Sequence, residues 1–141
     1  VAAASAGDWQ VRSAMAWSEG EDTRRDLPLN AVDPPRATLG LSYDDGGGRW
    51  GGEGVLVAVQ GKQRIDHSTG ELFAPPGYAR FDLYGWFEPR PGVRVNAALL
   101  NLADRRYWEW AGVRGVTADD DGIGFHTQPG RSFAVNLTLE W

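Results

Sequence analysis

The final residues of the chain, RSFAVNLTLEW, alternate strictly between apolar and polar positions. The apolar positions are Phe133, Val135, Leu137, Leu139 and Trp141, and every residue between them is small or polar. A period of two residues places successive side chains on opposite sides of an extended chain. The pattern therefore predicts a β-strand with one apolar face and one polar face.

Five earlier segments show the same alternation, so the chain is predicted to contain six strands. Their approximate bounds are residues 8–19, 37–44, 50–62, 78–88, 93–102 and 131–141. In the third segment the run VLVAV makes both faces apolar, and the pattern does not assign its faces. An inventory of 19 glycines, 8 prolines and 7 tryptophans fits an all-β chain that is rich in turns.

The connections between these segments alternate between long and short. Long connections such as EGEDTRRDLPLNAVDPP are charged, whereas the short ones, DDGGGR and PRPG, are typical of hairpin turns. Outer-membrane β-barrels have short periplasmic turns and long extracellular loops, while a soluble sandwich has little reason to separate loop lengths by end. The spacing therefore favours six antiparallel strands of a transmembrane β-barrel.

Aromatic residues recur at the strand ends that adjoin the short turns. The five aromatics predicted to lie there, at a membrane–water interface, are Trp9, Tyr43, Trp50, Phe87 and Trp141. Four others, Trp17, Tyr78, Tyr107 and Trp108, fall near the opposite rim. We expect Tyr107 and Trp108 to form part of a second interfacial belt at that rim.

Charged and amide side chains occupy the strand face opposite to the apolar one. They are Arg12, Arg80, Asp82, Arg94, Asn96, Asn136 and Glu140. A barrel lumen that is wet or filled by a polar plug accommodates such residues. Because known single-chain barrels begin at about eight strands, and open edges are costly in lipid, six strands are expected to belong to a longer protein.

The alternative is a secreted β-sandwich that acts as a carbohydrate-binding module. Its exposed tryptophans would stack on sugar rings, and its apolar faces would meet each other in a closed core. The polar strand faces would then point to solvent. The position of the large apolar side chains in the fold distinguishes the two possibilities.

Composition and motifs narrow the function. A net charge of −5 argues against nucleic acid as a partner, and the absence of cysteine removes disulfides and thiolate chemistry. The sequence has no Ser-His-Asp set, P-loop or zinc signature, so we expect neither an enzyme nor a metal site. The acidic run DDDG at residues 119–122 lacks the spacing of a calcium loop and is expected to be a solvated loop tip.

Three stretches resemble the C-terminal part of a TonB-dependent outer-membrane receptor, and more narrowly the heme or hemoglobin receptor branch. LPLNAVDPPRATLGLSYD (27–44) is similar to an extracellular loop that re-enters the barrel wall. VNAALLNLADRRYWEWAGVRG (95–115) is similar to the penultimate strand, with Asn101, Leu102, Asp104 and Tyr107 at the spacing NLxDxxY. QPGRSFAVNLTLEW (128–141) is similar to the final strand with its terminal aromatic residue.

The resemblance implies a barrel of about 22 strands with an N-terminal plug. Residues 1–141 would supply its last six strands, and the plug and earlier strands would lie outside this stretch. The implied function is uptake of heme, hemoglobin or another iron carrier across the bacterial outer membrane. The implied partners are the TonB complex through the plug, the extracellular carrier, outer-membrane lipid, and the barrel-assembly machinery through the last strand.

Three residues are candidates for ligand contact in the predicted extracellular loops. His67 and His126 are the only histidines, and imidazole is the usual protein ligand of heme iron. Trp110 presents a ring that could stack on a flat ligand. Alternatively, the histidines are solvated loop residues and Trp110 belongs to the aromatic belt. Heme would be the transported ligand, and no resident cofactor is expected.

Overall fold

Nine strands and two short helical segments make up the computed structural model, which describes residues 1–6 and 8–140. The strands are β1 (Ala2–Ala6), β2 (Trp9–Ala16), β3 (Glu21–Asp22), β4 (Leu27–Pro28), β5 (Arg36–Asp44), β6 (Trp50–Val59), β7 (Tyr78–Arg90), β8 (Val93–Leu100) and β9 (Ser132–Leu139). Helix α1 spans Trp110–Val113, and a 3-10 turn spans Ile123–His126.

Seven of the strands form one antiparallel sheet in the order β1-β2-β5-β6-β7-β8-β9. The hairpin β3–β4 lies apart, within the connection from β2 to β5. All six expected strands are present, and the all-β prediction is confirmed. A seventh strand, β1, precedes them; its sequence AAASA has no contrast between large apolar and polar side chains, so alternation does not reveal it.

Cross-strand pairing carries the apolar positions across the sheet on one side. Leu39 of β5 pairs with Leu56 of β6, which pairs with Phe81 of β7. Across β7, β8 and β9 the same side is formed by Leu83, Leu99 and Phe133. We call this side the apolar face. Since strand side chains alternate, the residues between these positions form the opposite, polar face.

The register also assigns the faces of β6, which its sequence leaves open. Leu56 and the glycines Gly52 and Gly54 lie on the apolar face, because they pair with Leu39, Tyr43 and Leu41 in turn. Glu53, Val55 and Val57 therefore lie on the polar face. Val57 is nevertheless buried, and it lies two residues from the end of β6 that leads into a long connection.

The sheet curves toward its polar face. Gln10 of β2 and Asn136 of β9 line one cavity of about 510 Å³, together with residues of the strands between them. In a flat sheet these two strands, five spacings apart, would be separated by about 24 Å, at roughly 4.8 Å per strand. Their shared cavity therefore makes the polar face concave and the apolar face convex.

In the described part of the chain, no second sheet covers the apolar face. Leu39 and Leu137 are half exposed, and Phe133 is 68% exposed. A sandwich would require these side chains to meet in a closed interior. The β-sandwich alternative is therefore wrong.

The buried hydrophobic cluster lies instead within two long connections, residues 60–77 and 101–131, which contact a third, residues 17–35. Since the connections of an antiparallel sheet alternate between its ends, all three lie at one end, and we call them together the loop cap. Its centre is Ile65, Leu72, Trp110 and Val113, against which Phe73, Trp108 and Val116 pack. Within residues 1–6 and 8–140, no helix has both the length and the apolar character needed to cross a bilayer.

Candidate ligand-recognition site

The end of the sheet with the short turns carries a row of aromatic rings on the apolar face. The ring of Tyr43 lies 4.9 Å from that of Trp9 and 4.9 Å from that of Trp50, measured between centroids. Trp50 in turn pairs with Phe87 across β6 and β7. Four of the five predicted interfacial aromatics therefore share one level of the sheet. The fifth, Trp141, lies outside the described residues.

The aromatics at the opposite rim do not form a comparable row. Trp17 is exposed, but Tyr78 and Tyr107 are buried and stack on each other with centroids 4.2 Å apart. Trp108 packs against Phe73 and donates a hydrogen bond from Nε1 to the Ile123 carbonyl at 2.9 Å. The expectation that Tyr107 and Trp108 belong to an interfacial belt is therefore wrong, because the loop cap encloses both in its packing.

Trp110 joins all three loops of the cap. Its ring is only 3% exposed, and its Nε1 donates to the Asn30 carbonyl at 2.8 Å. Lys62 lies with Nζ 5.1 Å from the centre of that ring and donates to the Val32 carbonyl at 2.6 Å. In this conformation a flat ligand has no open face of Trp110 on which to stack, and the ring holds the loops together.

The ammonium group of Lys62 is unusual for its burial. Only 7% of the residue is exposed, and this burial lowers the pKa of its side chain. Asp33 opposes the shift, while Arg114 and Arg64 add to it. The carbonyl contact and the Trp110 ring provide the charged form with partial compensation for its lost hydration.

His67 lies in the loop between β6 and β7, where its ring is held by the backbone. Its Nδ1 accepts a hydrogen bond from the Leu72 N–H at 3.1 Å and lies 3.8 Å from the Glu71 carboxylate. In the neutral ring the proton therefore resides on Nε2. Binding of iron through Nε2 would move that proton to Nδ1, and the bond to Leu72 would be lost.

His126 lies in a different loop, between β8 and β9. It is the last residue of the 3-10 turn and is exposed to solvent. Neither of its ring nitrogens takes part in a hydrogen bond within the described residues. Of the three candidate residues, His126 is the one whose ring is free to meet a ligand without rearrangement.

A buried polar cluster at the end of β8 gives the NLxDxxY spacing a structural meaning. Asn101 donates from Nδ2 to the carbonyls of Arg105 and Pro129 at 2.8 and 3.2 Å, and its Oδ1 accepts from the Arg105 N–H. The Asn101 N–H donates to Asp82 at 2.8 Å. A φ of 51° at Asn101 is in the left-handed region, which Asn tolerates better than most residues.

Asp104 extends this cluster to the start of β9. Its Oδ1 accepts the Arg131 N–H at 2.7 Å. A Cβ at Gly130 would lie 2.7 Å from the same oxygen, so the bond depends on glycine at that position. Asn101 and Asp104 together hold the two ends of the last loop, and we call them the loop clasp.

Asp82, which is 1% exposed, is the residue that connects the clasp to the sheet. It accepts from Asn101 and lies 3.4 Å from the Arg80 guanidinium. The sequence places Asp82 on the polar face but gives no signal of its tie to Asn101, 19 positions away. The concave face also carries the ion pair Arg12–Glu53.

Two cavities adjoin these features. The first, of about 510 Å³, lies on the concave face between Arg12, Glu53, Trp86 and Asn96. The second, of about 470 Å³, lies under the loop cap and is lined by Trp17, Asp33, Arg36, Tyr78 and Glu109 among others. Among residues 1–6 and 8–140, no three His, Cys, Asp or Glu side chains are grouped as a metal site would require.

Comparison with known proteins gives the chain a family. The family model described as "TonB dependent receptor-like, beta-barrel" matches residues 1–102. The Copper transporter OprC has a similar structure, with a TM-score of 0.78, 23% identity, and coverage of 95% of this chain and 21% of that one. At this identity the similarity concerns the fold.

Curated relatives match over most of the chain. Hemoglobin-haptoglobin utilization protein B of Neisseria meningitidis serogroup A is 28% identical over 89% of this chain and 18% of its own length. Lactoferrin-binding protein A of Neisseria meningitidis serogroup B is 26% identical over 83% of this chain and 14% of its own. The chain thus spans less than a fifth of either relative. It belongs to the TonB-dependent receptor β-barrel family.

Proposed function

We propose that residues 1–141 form the C-terminal part of the barrel wall of a bacterial outer-membrane receptor that takes up an iron-carrying ligand of the heme or hemoglobin type. The observation that carries this proposal is the two-sided sheet, with its exposed apolar face and polar concave face. A wall between lipid and a wet or plugged lumen requires both. β5 and β6 contain 9 and 10 residues, close to the roughly 9–11 that a tilted strand needs to cross hydrocarbon.

The aromatic row Trp9, Tyr43, Trp50 and Phe87 supports a position for the membrane boundary. Amphipathic rings are stable at the level of the lipid headgroups, and a belt of them marks each interface of a barrel. We assign the row, together with Trp141, to the periplasmic interface. The loop cap then lies on the extracellular side.

We propose the other partners by analogy with the family. The plug, which lies outside this stretch, would contact the concave face and transmit the action of the TonB complex. The barrel-assembly machinery would bind the last strand. No catalytic step is assigned to the chain, and the relatives named above are binding or utilization proteins.

For the ligand, the relatives support an iron carrier. Their names give hemoglobin-haptoglobin and lactoferrin, and Hemoglobin-binding protein A of Haemophilus influenzae is a further relative at 23% identity over 82% of this chain. We propose heme or hemoglobin, with His126 as the residue that contacts it. His67 would take part only after losing its bond to Leu72, and Trp110 would act by holding the loops in place.

The test uses the full-length receptor in a bacterial strain that lacks its own heme receptor. We expect growth on hemoglobin or free heme as the sole iron source, and loss of that growth when TonB is deleted. Growth that persists without TonB would refute active transport. Growth on transferrin or lactoferrin, but not on hemoglobin or heme, would leave an iron-carrier receptor and refute the heme assignment.

Two histidine variants refine the test. His126→Ala is expected to slow growth on heme, and His67→Ala to have a smaller effect. The level of each variant in the outer membrane must equal that of the wild type. Unchanged growth of both variants would refute the proposed histidine contact while leaving the transport function in place.

A further inference from the structure

Phe125 differs from the other aromatic residues of the last long loop, residues 101–131, in its exposure. It is 93% exposed, whereas Tyr107 and Trp110 are buried and Trp108 is half-buried. Isolated apolar side chains are common on protein surfaces. A fully exposed aromatic ring is less common on a loop whose other aromatic rings are enclosed. Aromatic residues are enriched in the surfaces by which proteins contact partners.

The segment that carries Phe125 is fixed by hydrogen bonds. The Phe125 N–H donates to the Gly122 carbonyl at 2.8 Å, and the Gly122 N–H donates to the Asp120 carboxylate at 2.6 Å. Thr127 Oγ1 donates to the Gly124 carbonyl at 3.0 Å. An aromatic ring on an ordered turn loses little conformational entropy when it binds. Most of the free energy gained by burying the ring therefore contributes to the affinity.

The same turn is attached to the cluster at the centre of the cap. Trp108 donates from Nε1 to the Ile123 carbonyl at 2.9 Å, and its own ring packs edge-on against Phe73 with centroids 5.5 Å apart. The Arg106 guanidinium lies 5.5 Å from the Trp108 ring. The position of Phe125 is therefore set by contacts that do not involve its own side chain.

The charge around the ring indicates the kind of partner, because one cation, Arg106, lies close to Gly124, against three carboxylates in the preceding segment. Asp119, Asp120 and Asp121 directly precede the turn and are exposed. Three carboxylates repel an anionic lipid surface and attract Lys and Arg side chains. A protein surface with an apolar pocket bordered by basic residues is complementary to this tip, and a membrane surface is not.

We infer that Phe125 is the anchor by which the last long loop binds the protein part of a carrier such as hemoglobin, by inserting into an apolar pocket that basic side chains surround. This inference rests on the proposed function, since it requires the loop cap to face the outside. It assigns to the loop a role in recognising the carrier protein rather than the heme. Free heme would then be taken up without it.

The first experiment measures hemoglobin binding to intact cells that produce the full-length receptor. An anchor residue in an interface is expected to weaken binding roughly 10-fold or more when truncated, so Phe125→Ala should raise the Kd by that factor. Phe125→Trp, which keeps an aromatic ring, should bind within about threefold of the wild type. Growth on free heme should be equal in all three.

The charge is tested separately. Asp119→Asn combined with Asp121→Asn leaves the turn-forming Asp120 in place. It should slow hemoglobin association at low salt and have little effect at high salt, because exposed charges act mainly on the encounter rate. If the double variant and the wild type bind hemoglobin at the same association rate at low salt, basic residues around the partner's pocket are refuted.

A labelling experiment tests whether the ring is accessible in the whole receptor. A Phe125→Cys variant should react with a membrane-impermeant maleimide on intact cells, and hemoglobin should protect it. Gly46→Cys, in the turn at the opposite end of the sheet, serves as the matched control and should not react. Absence of labelling at position 125 without hemoglobin would overturn the inference, because other parts of the receptor would then cover the ring.

The outcomes separate the two proposals. If the wild type binds hemoglobin and Phe125→Ala binds it equally well, the anchor is refuted and the proposed function stands. If the wild type binds no hemoglobin, hemoglobin as the ligand is refuted, and growth on free heme decides whether heme uptake stands; the titration is then repeated with transferrin and lactoferrin. If Phe125→Ala binds the wild type's carrier as tightly as the wild type does, the anchor is refuted. The anchor is also refuted if the wild type binds none of the three carriers.

Discussion

The curved sheet and the loop cap place the same types of residue in opposite environments. In the sheet, Trp9 is 51% exposed and Phe133 is 68% exposed, and backbone pairing rather than side-chain burial joins the strands. In the cap, Trp110 and Val113 are almost fully buried. The two regions belong to one chain, and they differ in whether these apolar side chains are exposed or enclosed.

This difference shows which solvent each region is built for. The hydrophobic effect favours removal of apolar surface from water, so a water-exposed region is expected to enclose its large apolar residues. The centre of the cap follows that rule, whereas Trp17 and Phe125 at its surface are exposed. The sheet reverses it on one face, which is stable only if that face meets an apolar medium or partner. The proposed membrane boundary therefore runs between the two regions.

The largest expected effect concerns the interior of the cap. Trp110→Ala removes the ring at the centre of the cluster and the bond to Asn30, and a buried Trp→Ala change typically costs about 3–5 kcal/mol. We expect the loops to open while the sheet remains folded. Hydrogen exchange on the detergent-solubilised receptor should show faster exchange in residues 17–35, 60–77 and 101–131 only. Trp9→Ala is the control, and an equal effect from it would contradict the comparison.

The next effect concerns the two faces of the sheet. Val135 and Asn136 are adjacent in β9, exposed in the structure, and on opposite faces. Arginine on the lipid side of a barrel costs about 2–4 kcal/mol near the bilayer centre, and little on the lumen side. Val135→Arg should therefore reduce the amount of folded receptor in the outer membrane, measured by heat-modifiable migration, and Asn136→Arg should not.

Equal loss of folded receptor in both arginine variants would indicate that β9 is enclosed on both sides. Equal tolerance would place its apolar face in water. Either result would contradict the membrane boundary proposed from the sheet.

A smaller effect is expected where the two regions join. Asn101→Ala removes three side-chain hydrogen bonds and leaves the Pro129 and Arg105 carbonyls without their donor, at a cost of about 2 kcal/mol. Asn101→Gly should recover part of the loss, because glycine adopts a positive φ readily. Limited proteolysis of the loop between β8 and β9 measures both. If the Asn101→Ala and Asn101→Gly variants are cleaved at the same rate, backbone strain contributes nothing at this position.

The smallest effect is a pH dependence of the cap. Burial lowers the pKa of Lys62 below the ordinary value of 10.5, so in the interval between the two values the unfolded cap binds more protons than the folded one. The stability of the cap should therefore rise as pH increases through the folded-state pKa toward 10.5. Lys62→Met should abolish this rise. Protease resistance of the loops from pH 7 upward measures it, and a rise that persists in Lys62→Met would assign it to another group.

Prediction from sequence succeeded where a pattern is local. Six strands were found from alternation alone, because a strand with one apolar and one polar face must alternate. The faces of β6 stayed unassigned for a physical reason. Val57 is buried although it lies on the polar face, so an apolar residue stands where alternation predicts a polar one. The register supplied by neighbouring strands was needed to resolve it.

Contacts between distant residues were not accessible in the same way. Trp110 reaches the Asn30 carbonyl, 80 positions earlier, and nothing near either residue in the sequence indicates the bond. The tautomer of His67 depends on the N–H of Leu72, which approaches only when the loop is folded. The three candidate ligand residues all lie in the connections between strands, and the accessibility of each depends on tertiary contacts.

The loop clasp has a consequence for how such a receptor can change over time. Asp104 and Arg131 are joined across 27 positions, and Asn101 is bonded to Pro129. Both ends of the last loop are thereby fixed beside the sheet, whatever lies between them. Substitutions and insertions in the interval can alter the surface of the loop without shifting the pairing of β8 with β9, so the proposed ligand contacts can change on an unaltered scaffold.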